Sequence, residues 1–386
     1  MTAPQRHAVA AETVFDGATV HRHAAVLVED ARIVRLGPQA ELPEDVSVHT
    51  LPAGAWLAPG FIDVQVNGGG DVLFNDDPTP AGIARIAAAH RRFGTTGLLP
   101  TLISDTPEKM RAALDAVRRV PAGSGVLGVH LEGPFLSPER PGAHDPAMIR
   151  RPTAQDLDLI LSGAPPATLV TLAPEEVPAG FISSLVRAGI RVSLGHSMAT
   201  YAETNTALSE GLTGFTHLFN AMRPLASREP GPIAAALETP HAFVGLIVDG
   251  AHVHPAMLRL ALRGVARPML VTDAMPPVGG RARAFSLNGR QIEARGTACV
   301  LRDGTLAGTA LDMATAVRNC VRLLGVPLAE TLAIATLHPA MFMGLDGEVG
   351  RLALGCRADM VAIDPDDIRV LGTWLGGAWA DSSAAA

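Results

Sequence analysis

Cysteine is scarce in this chain. Cys299, Cys320 and Cys356 are an odd number, widely spaced and without a CxxC pair, which argues against a disulfide framework and for a reducing compartment. Lysine is scarcer still: Lys109 stands alone, in a predicted surface helix, so no strand tip can offer a lysine as a bridge between two metal ions. Long apolar runs are also missing. Nowhere do 18 apolar residues follow one another, and the opening MTAPQRHAVAAETVFDGATV has no hydrophobic signal core. A soluble, cytoplasmic protein is the expectation. Nor is there a basic block: the formal charge is -7, which gives no footing for nucleic acid or for an anionic membrane and points to a small-molecule site.

What is present is a chain able to bury a large core, with 48% hydrophobic residues and 39 glycines in 386 residues. That length fits one barrel of about 250 residues and a modest second domain. The first 58 residues alternate apolar and polar positions between turns, at Thr13 to Gly17, Ala24 to Glu29 and Arg32 to Gly37, as short antiparallel strands do. The pattern returns only at the far end, where Gly350 to Gly355 leads into Asp359 to Asp364. We therefore expect residues 1–58 and 346–386 to pair into one small β-sandwich domain, with 59–345 inserted between them.

The inserted part repeats strand, loop and helix. Eight candidate strands start at Phe61, Thr96, Val126, Leu169, Arg191, Gly214, Ala242 and Met269, and amphipathic segments such as Ala81 to Phe93 and Pro107 to Arg119 separate most of them. This predicts an α/β fold, a (β/α)8 TIM-like barrel, with its site on the C-terminal rim of the strands. Ala284 to Ala310 reads as an inserted hairpin around an Asn288-Gly289 turn, followed by helices over Asp312 to Leu324 and Leu328 to Thr336. There is no internal repeat, and the one low-complexity stretch is the trailing Ser382 to Ala386.

Chemistry collects at the strand tips. The run Val126 to Leu131 is too short and too β-branched for a helix and ends in Glu132, followed at once by Gly133-Pro134. A carboxylate at the end of a buried strand is expensive to desolvate unless it is paired or bound to a cation. Val192 to His196 and Gly214 to His217 have the same design with histidine at the tip. A lone strand-end histidine is usually a hydrogen-bonded structural residue, but three tips ending alike in one alternating chain make a plausible divalent-metal site. The eighth strand ends Leu270-Val271-Thr272-Asp273. It sets Asp273 on the same rim, either to take a proton from water acidified by such an ion, to cap the next loop, or to serve as one more ligand. Many metal-dependent hydrolases of this barrel type open with His-x-His after strand one. Here that place holds Gln65 and Asn67, and amides are weak ligands, so one tight metal site is expected rather than two.

Taken together, PGFIDVQVNG, HLEGPF, SLGHS, THLFNAM, REPG, DGAHV, LVTDAM and LAGTAL, in this order from about residue 54 to residue 361, strongly resemble the N-acetylglucosamine-6-phosphate deacetylase family of the amidohydrolase superfamily. The resemblance implies a fold and a site. Glu132, His196 and His217 would bind one divalent ion, zinc first, with iron, cobalt or manganese as alternatives. Asp273 would be general base and then general acid to the departing amine. His144 would hold the sugar and polarise the acetyl carbonyl. Asn220 and Ala221, with Arg228 and His252, would take the 6-phosphate, and Ala143, Asp249, Ala307, Gly308 and Thr309 would complete the substrate site. Arg228 would reach the site from a neighbouring subunit, which implies a homodimer, or a tetramer. The substrate would be a small sugar phosphate, with no nucleic-acid or membrane partner. N-acetylgalactosamine 6-phosphate, another amidohydrolase substrate such as a D-acylamino acid, and a non-catalytic binding barrel are the rival expectations.

Overall fold

The computed structural model describes residues 6–265 and 267–380; the trailing Ser382 to Ala386 lie outside them. The two chain ends form one eight-stranded sheet. From the front come Arg6–Phe15, Val20–Glu29, Arg32–Pro38, Ser47–Thr50 and Trp56–Pro59, and from the back Met360–Asp364, Arg369–Leu375 and Ala378–Ala380. The ends meet where Met360 to Ile363 run antiparallel to Pro59 to Trp56. Side chains alternate across this seam, as strand geometry requires. Met360 and Ala362 join Val9, Val26 and Trp374 in a core of the sheet's own, while Val361 and Ile363 face the other way into the barrel core.

Gly350 to Gly355 is not a strand. Gly350 and Gly355 both have φ near +85°, a region that breaks extended pairing and that glycine tolerates. The segment instead ties back through Leu352 N–H to the Asp16 carbonyl and Gly355 N–H to the Ile33 carbonyl, burying Leu352 and leaving Leu354 exposed.

The barrel consists of eight parallel strands: Phe61–Val66, Thr95–Ile103, Val129–Glu132, Thr168–Leu172, Arg191–Leu194, Gly214–Phe215, Phe243–Leu246 and Arg267–Leu270. Seven adjacent pairs are laddered. The eighth seam, between first strand and last, has no ladder among the described residues, only the bridge of Val66 with Ala274 and the few backbone bonds around it. Helices separate the strands, and several open on a threonine whose hydroxyl takes a first-turn N–H, with proline following at Thr79-Pro80 and Thr106-Pro107. Three helices beyond the expectation are Ala154–Gly163, Gly231–Glu238 and Leu337–Met343. The first carries a legible capping box from Thr153 to Asp156.

The expected hairpin is a four-stranded meander, Ala284–Leu287, Arg290–Arg295, Ala298–Leu301 and Leu306–Thr309. Its first turn does use Asn288 and Gly289, both at positive φ. Its last strand docks beside the end of the eighth barrel strand, where Met275 N–H meets the Thr309 carbonyl and Thr309 N–H the Asp273 carbonyl. No helix among the described residues is long and apolar enough to cross a membrane.

Candidate active site

Glu132 is the last residue of the third barrel strand, and His196, His217 and Asp273 follow the fifth, sixth and eighth within three residues. The last three have φ of 48°, 33° and 52°. Left-handed backbone at non-glycine residues costs on the order of 1–3 kcal/mol each and survives only where the surroundings impose it. Here it turns three side chains inward off their strands.

Glu132, His196 and His217 are buried and converge. Glu132 Oε1 lies 3.1 Å from His217 Nε2 and 3.3 Å from His196 Nε2, and the two Nε2 atoms are 3.1 Å apart. His196 Nδ1 is 2.8 Å from the Arg140 carbonyl, which can only accept. Nδ1 therefore carries the proton, and in the neutral ring Nε2 turns its lone pair toward the cluster. Burial pushes the Glu132 carboxyl up, but when His196 and His217 are protonated their hydrogen bonds and charge outweigh it and hold the group well below the usual carboxylate range. An imidazole lone pair aimed at a carboxylate and a second imidazole leaves electron-rich atoms facing one another, an arrangement that a cation relieves. Two histidines and one glutamate are a donor set of catalytic zinc sites, which keep a further position open, and the three residues meet the spacing for a metal ion.

Gln65 and Asn67 are both fully buried and aim at carboxylates. Asn67 Nδ2 donates to Asp273 Oδ1 at 2.6 Å, and Gln65 Nε2 lies 3.3 Å from that oxygen and 3.1 Å from Glu132 Oε1. Ionised carboxylates only accept, so the amides must present nitrogen. Asp273 is pushed up to about 6 by burial and then by the charge of Glu132.

His144 packs edge-on against His196, with ring centroids 4.5 Å apart. The Ser104 backbone N–H donates to His144 Nδ1 at 3.2 Å, and the Ser104 hydroxyl is 2.8 Å from the same atom. Nδ1 is thus an acceptor, so neutral His144 carries its proton on Nε2. Burial, followed by the charge of His196, lowers His144 to about 3; the ring is a neutral hydrogen-bond donor.

Glu132, His196, His217, Asn67, Asp273 and His144 line a cleft of about 470 Å3, together with Ala143, Asn220, Ala221, His252 and Gly308. A Cβ on Gly308 would fall 2.7 Å from Met275 and 2.9 Å from the Asp273 carbonyl, and its φ is +72°; only glycine lets the meander approach this closely. Other expected site residues sit behind the lining. Asp249 Oδ2 is 2.7 Å from His252 Nδ1, and its Oδ1 accepts the Ala251 and His252 N–H groups, so Asp249 orients His252. Thr309 Oγ1 donates to the Thr272 carbonyl, and Ala307 is buried in the meander core. Arg228 is exposed and outside the lining. The arginine that does line the cleft is Arg140, missed although it lies in the same PERPGAHD segment as His144. Ser104 was missed too, yet it follows directly on the buried second strand, the same strand-tip signal that marked Glu132.

The profile of the amidohydrolase family matches residues 56–380. An N-acetylgalactosamine-6-phosphate deacetylase from Shewanella sp. (strain ANA-3) is 41% identical over 379 residues, covering 94% of this chain and 95% of that protein. The N-acetylglucosamine-6-phosphate deacetylase of Bos taurus is 39% identical over 343 residues, with 84% and 83% covered. In structure, N-acetylglucosamine-6-phosphate deacetylase from Pasteurella multocida superposes with a TM-score of 0.93 at 33% identity, covering 97% of this chain and 99% of that one.

Proposed function

Because the chain belongs to the amidohydrolase family, we propose that it hydrolyses the acetamido group of N-acetylglucosamine 6-phosphate, giving glucosamine 6-phosphate and acetate. The observation that carries this is the buried cluster of Glu132, His196 and His217 facing Asp273 in one cleft, in a chain whose relatives are deacetylases of N-acetylhexosamine 6-phosphates. The three clustered residues would hold one divalent ion, zinc first. When bound, the ion supplies Lewis acidity, polarising the acetyl carbonyl and acidifying water.

The protein's own groups do the rest. Asp273 has one oxygen engaged by Asn67 and Gln65, so the other takes a proton from the attacking water and returns it to the amine nitrogen, which cannot leave as an anion. His144, neutral with Nε2–H free, donates to the acetyl oxygen or to a sugar hydroxyl. His252, held by Asp249, and the Asn220-Ala221 backbone take the phosphate. Arg228 adds a forked donor suited to phosphate; its exposure away from the cleft supports its serving a neighbouring subunit in a homodimer.

The 41% identity to the Shewanella enzyme favours a second reading, N-acetylgalactosamine 6-phosphate as substrate. Acetate release from both hexosamine phosphates, with elemental analysis of the purified protein, separates the two. Release from neither, by metal-loaded protein, would remove the deacetylase assignment.

A further inference from the structure

The barrel's open seam is where the proposed base sits. Asp273 lies three residues past the last barrel strand, and that strand shares no ladder with the first, only the bridge between Val66 and Ala274. Backbone bonds cross the seam beside Asp273, from the Asn67 and Gly68 N–H groups to the Ala274 carbonyl, and side-chain bonds reinforce them. The groups that do so converge on Asp63, a fully buried carboxylate in the middle of the first strand that has no role in the chemistry above. Asp63 Oδ1 accepts the Gln65 N–H at 3.1 Å and, across the seam, the Thr272 N–H at 3.3 Å; Oδ2 accepts the Thr272 hydroxyl at 2.5 Å. The next N–H, that of Asp273, donates to the Gln65 carbonyl at 3.1 Å. Asp63 thus touches the residue before the base and the residue whose side chain bonds to the base.

We infer that Asp63 is a positioning residue: it clasps the first strand to the end of the eighth and so sets Asp273 against Gln65 and Asn67. The inference rests on the hydrolytic reading of Asp273. Among the described residues no cation pairs with Asp63, and burial pushes its carboxyl up to about 7. The clasp needs acceptors of the right shape rather than a charge. Asparagine meets that need, since its carbonyl can take both N–H groups while its amide donates to the Thr272 hydroxyl, which can in turn donate to the Gln65 carbonyl 3.4 Å away. Alanine does not.

The test measures kcat, KM, metal content and thermal melting for the metal-loaded parent and three variants. Asp63→Ala lowers kcat roughly 100-fold, as a displacement of about 1 Å in a catalytic group does, while metal content and KM stay near the parent's. Asp63→Asn keeps kcat near the parent's. Thr272→Val, which removes the hydroxyl but keeps the shape, lowers kcat in the same sense and decides the matter if Asp63→Ala does not fold. Parent-like kcat in a folded Asp63→Ala, or in Thr272→Val when the alanine variant is unfolded, overturns the inference; so does an Asp63→Asn as impaired as the alanine variant. A parent that releases no acetate defeats the deacetylase reading instead, and is recognised before any variant is compared.

Discussion

Replacing Asp273 with asparagine separates base from scaffold. The side-chain oxygen of asparagine can still accept from Asn67 Nδ2 and Gln65 Nε2 at the position Oδ1 holds now, so shape and anchoring persist, but the second position becomes an amide nitrogen that cannot take a proton. A positioned acid or base contributes about 10²–10⁴-fold, and each hundredfold is about 2.7 kcal/mol of barrier; kcat should fall by at least roughly 100-fold. Metal content should not change, because Asp273 stands outside the cluster of Glu132, His196 and His217. The parent's kcat/KM should rise with pH along an acid limb that the variant lacks. Asp273 works ionised and stands up at about 6 from burial and the Glu132 charge; a bound cation draws it lower, so the limb lies at or below that pH. Stability should move in the opposite direction. A carboxyl whose folded pKa exceeds its unfolded value favours the fold below the unfolded pKa and loses that contribution as pH rises through the folded one. At pH 8, metal-free Asp273→Asn should therefore melt above the metal-free parent. Acetate release over a range of substrate concentration and pH, elemental analysis and melting curves measure these four quantities. A metal-loaded variant with near-parent kcat would take Asp273 out of the mechanism, and loss of metal with loss of activity would make it a ligand.

His196→Ala should lose both bound metal and acetate release, from a parent holding about one ion per chain; two tight ions in the parent would show that Gln65 and Asn67 help build a second site. Arg228→Ala should raise KM for the phosphorylated sugar and leave the poor turnover of unphosphorylated N-acetylglucosamine unchanged. Equal losses on both would make Arg228 structural, and mixing Arg228→Ala with Asp273→Asn chains should restore activity if the arginine crosses between subunits. Asp156→Ala removes the return half of the Thr153 capping box and a two-point pair with Arg150 at 2.5 and 2.6 Å, so stability should fall by about 2–3 kcal/mol. Burial raises the Asp156 carboxyl, but Arg150 and the Thr153 bonds outweigh it and lower its pKa. That contribution should be full above about pH 4 and vanish as pH falls through the lowered value, and a denaturant series against pH would expose a flat difference.

The residues themselves determined that Glu132, His196, His217 and Asp273 end strands. Short apolar runs closed by a polar residue and a turn have few other solutions, and in a parallel barrel all such ends share one rim. Gln65 and Asn67 were legible as the wrong chemistry for a second metal. Which way their amides face was not, because it depends on two carboxylates more than 60 residues away in sequence being brought within 3.3 Å. Asp249 and His252 are neighbours in the chain, yet only the turn after the seventh strand sends one ring to the cleft and its carboxylate behind it. Gly350 to Gly355 alternates as a strand would, but alternation records only which side chains are buried; two positive-φ glycines and contacts to distant carbonyls decided the path. Asp63 shows the same limit. Its sequence context is that of any buried strand residue, and its partner Thr272 is 209 positions away. The two meet because eight strands close into a ring whose last seam has only a few backbone bonds and no ladder, so side chains add to what the backbone leaves sparse.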